Sequence, residues 1–193
     1  MPNRSTISNR LGDTRFIRGA IAGKRGPMNS FGNRFGLRFH HFGLAVPSPD
    51  AAFRFLKALG YTLGAVVFDP LQLVNLSMCT HPEMPDVEVV WPSDVPSPID
   101  RLLRRGGPTV YHLCYVAISP EHAIAAMEDY GFNVAAIGEP KRAALFGGQQ
   151  VSFYNVDEIG LIEIIHGEPP QPDLIGGVYA IARDLYEADA VIS

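Results

Sequence analysis

The chain has 193 residues, 47% of them hydrophobic, a mean hydropathy of +0.07 and a net charge of −4. That is enough for one domain with a continuous apolar core, or for two small halves sharing one. No apolar run approaches the roughly 20 residues needed to span a bilayer and no secretory apolar region precedes the fold, so a soluble protein with no membrane partner is expected.

Residues 1–38 carry eight Lys and Arg side chains against the single acid Asp13, a local balance of +7; with −4 overall, the remainder carries −11. Residues 1–36 therefore read as a basic extension, with three interpretations open: a disordered arm, an organelle transit peptide over residues 1–27, or a leader upstream of a true start at Met28. No aromatic-interleaved basic platform follows, so no nucleic-acid partner is expected. The two cysteines, Cys79 and Cys114, have neither zinc nor redox spacing. A reducing, cytoplasmic location follows, or the mitochondrial matrix if residues 1–27 are a transit peptide.

From residue 38 the chain becomes strongly patterned. A β-branched and aromatic run starting at His41 ends in Ser48-Pro49-Asp50, which reads as a helix start with Ser as N-cap, Pro at the first position and a carboxylate in the first turn. Phe53, Leu56 and Leu59 form one apolar helical face, and Gly60 stops the helix. Three strand-like segments follow, Tyr61 to Phe68, Leu71 to Cys79 and Val87 to Trp91. A Pro/Gly-bounded connector, Pro92 to Pro108, contains a short helix from Pro98 to Arg105. The pattern then recurs. A run from His112 ends in Ser119-Pro120-Glu121; Ile124, Met127 and Tyr130 form the helical face, Gly131 stops it, and strands are expected over Phe132 to Ile137, Gln149 to Tyr154 and Gly160 to Ile165. After His166 a Pro-rich stretch breaks the chain, and Asp173 to Ile192 reads as an amphipathic helix.

The recurrence is an internal repeat. His41-Phe-Gly-Leu-Ala-Val-Pro-Ser-Pro-Asp and His112-Leu-Cys-Tyr-Val-Ala-Ile-Ser-Pro-Glu run in register without a gap, 71 residues apart. Two βαβββ modules, 38–92 and 109–167, thus make an α+β domain over 37–167, with a C-terminal extension over 168–193.

In each module the first strand opens on a histidine and the last carries a glutamate: His41 with Glu88, and His112 with Glu163. Each glutamate sits inside a Val/Ile/Leu run, where burying a lone charge is costly and demands a cation or hydrogen-bond partner. Any one of these residues is unremarkable, but four at equivalent positions of two repeats argue together for one divalent metal ion. Two imidazoles and two carboxylates neutralise it and leave room for a small-molecule substrate. Co, Mn, Ni, Zn, Mg and Fe all remain open. Such a cation stabilises an enolate formed by removing an α-proton.

On these residues, together with Ser97-Pro-Ile-Asp, Tyr111-His-Leu-Cys-Tyr-Val, Gly138-Glu-Pro-Lys141, Gly147-Gly148 and Gly160-Leu-Ile-Glu-Ile, the chain resembles the vicinal oxygen chelate superfamily, the glyoxalase fold, over about residues 38–167. Within it the chain looks most like the methylmalonyl-CoA epimerases. The resemblance implies a cupped mixed sheet around the metal, with the family's ligands on His41, His112 and Glu163. At the fourth ligand position epimerases usually carry glutamine, whereas this chain has Glu88, as many glyoxalases do. The epimerases' off-metal glutamate base aligns with Asn75, which cannot take a proton from carbon. Glu163 and Glu88, able to swing off the metal, are then the catalytic candidates, with Lys141 a further one. Lys141, Cys114 and the pair Asn75 and Gln150, each 13 residues before a glutamate, are expected to contact substrate. His40 is expected on the other sheet face, as a structural residue.

The expected activity is a metal-dependent isomerase or epimerase, or lyase, working through a metal-stabilised enolate on a small carbonyl or acyl-thioester substrate, in a homodimer. A lactoylglutathione lyase of the glyoxalase type, an Fe(II) ring-cleaving dioxygenase and a non-catalytic small-molecule binder are the alternatives.

Overall fold

The computed structural model describes residues 32–167. The first 31 residues, and the helix expected over Asp173 to Ile192, lie outside them.

The first module comprises strand β1 (Leu37–Ala45), helix α1 (Pro49–Ala58), the short strands β2 (Thr62–Leu63) and β3 (Val67–Asp69), then β4 (Val74–Thr80) and β5 (Asp86–Pro92). Helix α2 (Pro98–Gly106) leads to the second module: β6 (Thr109–Ala117), α3 (Pro120–Asp129), β7 (Val134–Ala136), β8 (Lys141–Arg142), a 3-10 turn at Ala144–Phe146, β9 (Gln150–Val156) and β10 (Gly160–His166). The expected strand from Tyr61 to Phe68 is broken in two. Asp69 then turns the chain, its carboxylate accepting the backbone N–H groups of Leu71 at 2.8 Å and Gln72 at 3.0 Å.

Pro and Gly punctuate the helices as the sequence implies. Ser119 Oγ accepts the N–H of His122 at 3.3 Å, whereas the Ser48 hydroxyl donates to Asp50 at 3.2 Å and leaves the first helix without that cap. Gly60 and Gly131 follow the helix ends at φ +96° and +98°, a conformation that a side chain would strain.

The ten strands among the described residues form one open mixed sheet in the order β2-β4-β5-β1-β6-β10-β9-β7, with β3 on β4 and β8 on β9. Each module's first strand runs parallel to its last, β1 with β5 and β6 with β10, and the modules meet where β1 and β6 pair antiparallel. The first strands are therefore the centre of the sheet, flanked on either side by the strands that carry the glutamates.

Alternation divides the side chains between two faces. One face is covered by the helices: Val46, Leu56, Tyr61, Cys79 and Val89 pack under α1, and Ala117, Ala123, Met127, Ile162 and Ile164 under α3. The other is a cup, lined by Leu76, Met78, Val90, Val116, Val151 and Ile165 and roofed by Ile99 of α2 with Leu145 and Phe146 of the 3-10 turn. No helix among the described residues is long and apolar enough to cross a membrane.

Candidate metal centre

The floor of the cup is built by register. His41 and His112 lie on β1 and β6, with Gly43 directly opposite His112; Glu163 on β10 pairs with Cys114, and Glu88 on β5 pairs with Gly43. Four side chains from two modules thus converge at the seam, and one ligand atom from each lies within 4.8 Å of all the others. His41 Nε2 is 3.7 Å from Glu88 Oε2 and 3.6 Å from Glu163 Oε2; His112 Nε2 is 3.6 Å and 3.3 Å from the same two oxygens. The two Nε2 atoms are 3.3 Å apart. All four residues are buried, His41 at 0%, Glu88 at 5%, His112 at 2% and Glu163 at 2% exposure.

These separations suit a cation. An ion with bonds of about 2.1 Å holds neighbouring ligand atoms roughly 3.0–3.4 Å apart. The electrostatics point the same way. Glu163 Oε2 and His112 Nδ1 are buried without a hydrogen-bond partner, and an uncompensated buried carboxylate costs several kcal/mol. Burial pushes the Glu88 carboxyl up, offset in part by His112, and pushes Glu163 well up, with Glu88 adding to the effect. Burial also pulls His41 down to about 3 and His112 down to about 4. The imidazoles are therefore neutral at ordinary pH, as metal ligands must be.

The signs give a pH prediction. The folded carboxyls hold protons that unfolded ones release near pH 4.3, so the metal-free fold loses their contribution as pH rises from there through the raised values. The folded imidazoles refuse protons that unfolded ones accept below about pH 6.5, so their contribution is lost as pH falls from there. A divalent ion requires ionised carboxylates, so its binding releases protons. The thermal stabilisation conferred by a saturating cation is expected to grow between pH 5 and pH 8. A melting-temperature gain that is flat across that range would contradict it.

Gly43 makes this seam possible. A Cβ there would overlap the imidazole of His112. Gly43→Ala is expected to displace that ring and cost about 1–3 kcal/mol; chemical denaturation at wild-type stability would show the seam to be looser than described.

The two central strands carry a bulge at the same repeat position. Pairing between β1 and β6 steps from Phe39 to His41, skipping His40, and from His112 to Val110, skipping Tyr111. Each bulge keeps the residue before a cluster histidine beside it. His40 is therefore not the remote residue that strict alternation implies: its Nδ1 lies 2.8 Å from His41 Nδ1, and its ring packs edge-on against Phe146 at 5.6 Å. Tyr111 packs against His112 with ring centroids 4.5 Å apart. Burial, then the negative charges of Glu88 and Glu163, push its phenol well up. Neither residue was selected as functional by sequence reasoning, although the repeat places both immediately before a histidine.

Of the remaining expected site residues, Cys114 alone adjoins the cluster. Cys114 is buried beneath the cluster, between His41 and Glu163 in the pairing of three strands. Asn75 and Gln150 do not meet the cluster. Glu88 pairs with Met78 and Glu163 with Phe153, so positions three residues earlier fall on the opposite face. Asn75 pairs with Trp91 and donates to the carbonyl of Pro92 at 3.1 Å; Gln150 is exposed and pairs with Arg142. Lys141 is exposed, and its Nζ donates to the Leu71 carbonyl at 3.1 Å, tying β8 to the turn after β3.

Comparison with known proteins identifies the family and the fold. Residues 40–153 match the family model described as the glyoxalase/bleomycin resistance protein/dioxygenase superfamily. Among solved structures, a hypothetical protein from Bacillus halodurans is 24% identical with a TM-score of 0.59, over 70% of this chain and 97% of that one. Methylmalonyl-CoA epimerase from Mycobacterium tuberculosis is 20% identical with a TM-score of 0.55, over 73% and 91%. A Streptomyces coelicolor methylmalonyl-CoA epimerase in complex with 2-nitronate-propionyl-CoA is 21% identical with a TM-score of 0.53, over 67% and 96%. At these identities the likeness concerns the fold. No curated protein matches the chain significantly.

Proposed function

The chain belongs to the glyoxalase/bleomycin resistance protein/dioxygenase superfamily, and from that premise we propose that it is a divalent-metal-dependent isomerase or epimerase, or a lyase, acting through an enolate on a small carbonyl or acyl-thioester substrate. The observation that carries the reading is the convergence of His41, Glu88, His112 and Glu163, all buried, on one point. In this proposal those four residues hold the ion. When bound, the cation supplies Lewis acidity, stabilising the negative charge that develops on a carbonyl oxygen as the neighbouring C–H is ionised.

The chain's own residues do the rest. Glu163 takes the proton, because its Oε2 is not committed to any hydrogen bond, and Glu88 is the second carboxylate available to return one. Leu76, Met78, Leu145, Phe146 and Phe153 wall the cup with hydrocarbon, which keeps bulk water from competing for that proton. Cys114, paired with His41 and Glu163, is a small residue in the floor of the cup. Lys141 and Arg142 are exposed cations beside the roof of the cup, placed to receive the anionic part of a substrate. A homodimer and a cytoplasmic location belong to the same proposal.

The deciding experiment incubates the protein in deuterated water with thioesters, hydroxyketones and hemithioacetals, with and without divalent cation. Cation-dependent exchange at the α-carbon is expected. Its absence for all three classes would contradict the enolate chemistry and favour a ring-cleaving dioxygenase or a binding protein. Glu88, being glutamate, gives the lactoylglutathione lyase reading its specific support, and turnover of hemithioacetals alone would select it.

A further inference from the structure

Building on the metal-centre reading, we propose that His40 is a positioning residue whose Nδ1 accepts the Nδ1 proton of His41, fixing the tautomer and tilt of one imidazole ligand. The two Nδ1 atoms are 2.8 Å apart, so one ring must donate and the other accept. The direction follows from the far side of His41. Its Nε2 points at the cluster, 3.7 Å from Glu88 and 3.6 Å from Glu163, and a metal needs the lone pair there. The His41 proton therefore sits on Nδ1, and His40 accepts it and carries its own proton on Nε2.

The contact is built rather than incidental. It exists because β1 bulges at His40, and Phe146 packs against both imidazoles, T-shaped to His40 at 5.6 Å and tilted against His41 at 5.8 Å. The second module supplies an internal control. It bulges at the equivalent position, but the residue there is Tyr111, which meets His112 only in a T-shaped ring contact. His112 Nδ1 accordingly has no hydrogen-bond partner. One imidazole ligand is held by an outer hydrogen bond and the other by packing alone.

Outer-sphere partners of metal-binding histidines are typically worth 10–100-fold in affinity. The test titrates cobalt(II) alone into wild type, His40→Phe and His40→Asn, in competition with a chromophoric chelator. His40→Phe keeps the ring volume against Phe146 but removes the acceptor, and should bind cobalt about 10–100-fold more weakly. His40→Asn restores an acceptor near the Nδ1 position and should recover most of that loss. If wild type and His40→Phe bind equally tightly, the positioning role is overturned while the metal centre stands. Wild type that takes up no cobalt overturns the metal centre and this role with it. A measurement needing no variant is the nitrogen–proton correlation spectrum of the imidazoles in the zinc-loaded wild type: His40 bare at Nδ1 and protonated on Nε2 supports the assignment, and His40 protonated on Nδ1 contradicts it.

Discussion

Glu163→Gln is expected to lower cation-dependent α-proton exchange by roughly 10²–10⁴-fold, the range that a positioned general base contributes, while leaving the fold intact. The substitution is nearly isosteric and keeps an oxygen for the ion, so it removes basicity rather than shape. It also relieves a strain: a neutral amide has no charge to desolvate beside Cys114 and Phe153, the cup residues paired with it. The metal-free variant should therefore unfold at or above the wild-type midpoint even as exchange disappears. Glu88→Gln is the control. Its amide keeps an oxygen for the ion and leaves Glu163 in place, so exchange should survive within about tenfold, a smaller loss than removing one general base would produce. Equal loss in both variants would contradict the assignment of Glu163 as base and point to a role for the pair as ligands only.

The second large effect is thermodynamic. A cation bound by the folded chain but not by the unfolded one stabilises by about 4 kcal/mol at a thousandfold excess over its dissociation constant, which for a chain of this size corresponds to a rise of roughly 8–16 °C in melting temperature. The site should respond strongly because the ion cancels an existing penalty, two carboxylates buried at 5% and 2% exposure within 3.7 Å of uncharged imidazoles. His112→Ala should abolish most of that rise, whereas Asn75→Ala, on the opposite face, should preserve it. A cation-dependent gain of equal size in His112→Ala would place the binding somewhere else on the molecule.

Much of the architecture was legible in the chain because the signals are local and doubled. Ser-Pro-acid at 48–50 and 119–121, and the glycines at 60 and 131, mark the same helix twice, and the helices form at Pro49–Ala58 and Pro120–Asp129. The four cluster residues were legible for a related reason: a carboxylate inside a Val/Ile run is expensive, and its repetition in both copies makes chance packing a poor explanation. What escaped depends on how strands far apart in sequence pair. Asn75 and Gln150 share a spacing to the glutamates, but the face each one takes is decided by the turns before β5 and β10, and the register puts Met78 and Phe153 opposite the glutamates instead. His40 escaped for the same reason. Strict alternation sends it away from the cup, and only the skipped residue between β1 and β6 turns it back toward His41. The broken edge strand and the 3-10 turn over the cup carry no periodic signal, yet that turn places Phe146 against the imidazoles of His40 and His41.

The most direct measurement is anomalous diffraction from crystals of the cobalt-loaded protein, collected on either side of the metal's absorption edge. One peak is predicted per chain, on the seam between β1 and β6, within about 2.0–2.3 Å of His41 Nε2, His112 Nε2 and an oxygen of each of Glu88 and Glu163. No peak there, or a peak bound by only one module's side chains, would contradict a centre shared between the two halves.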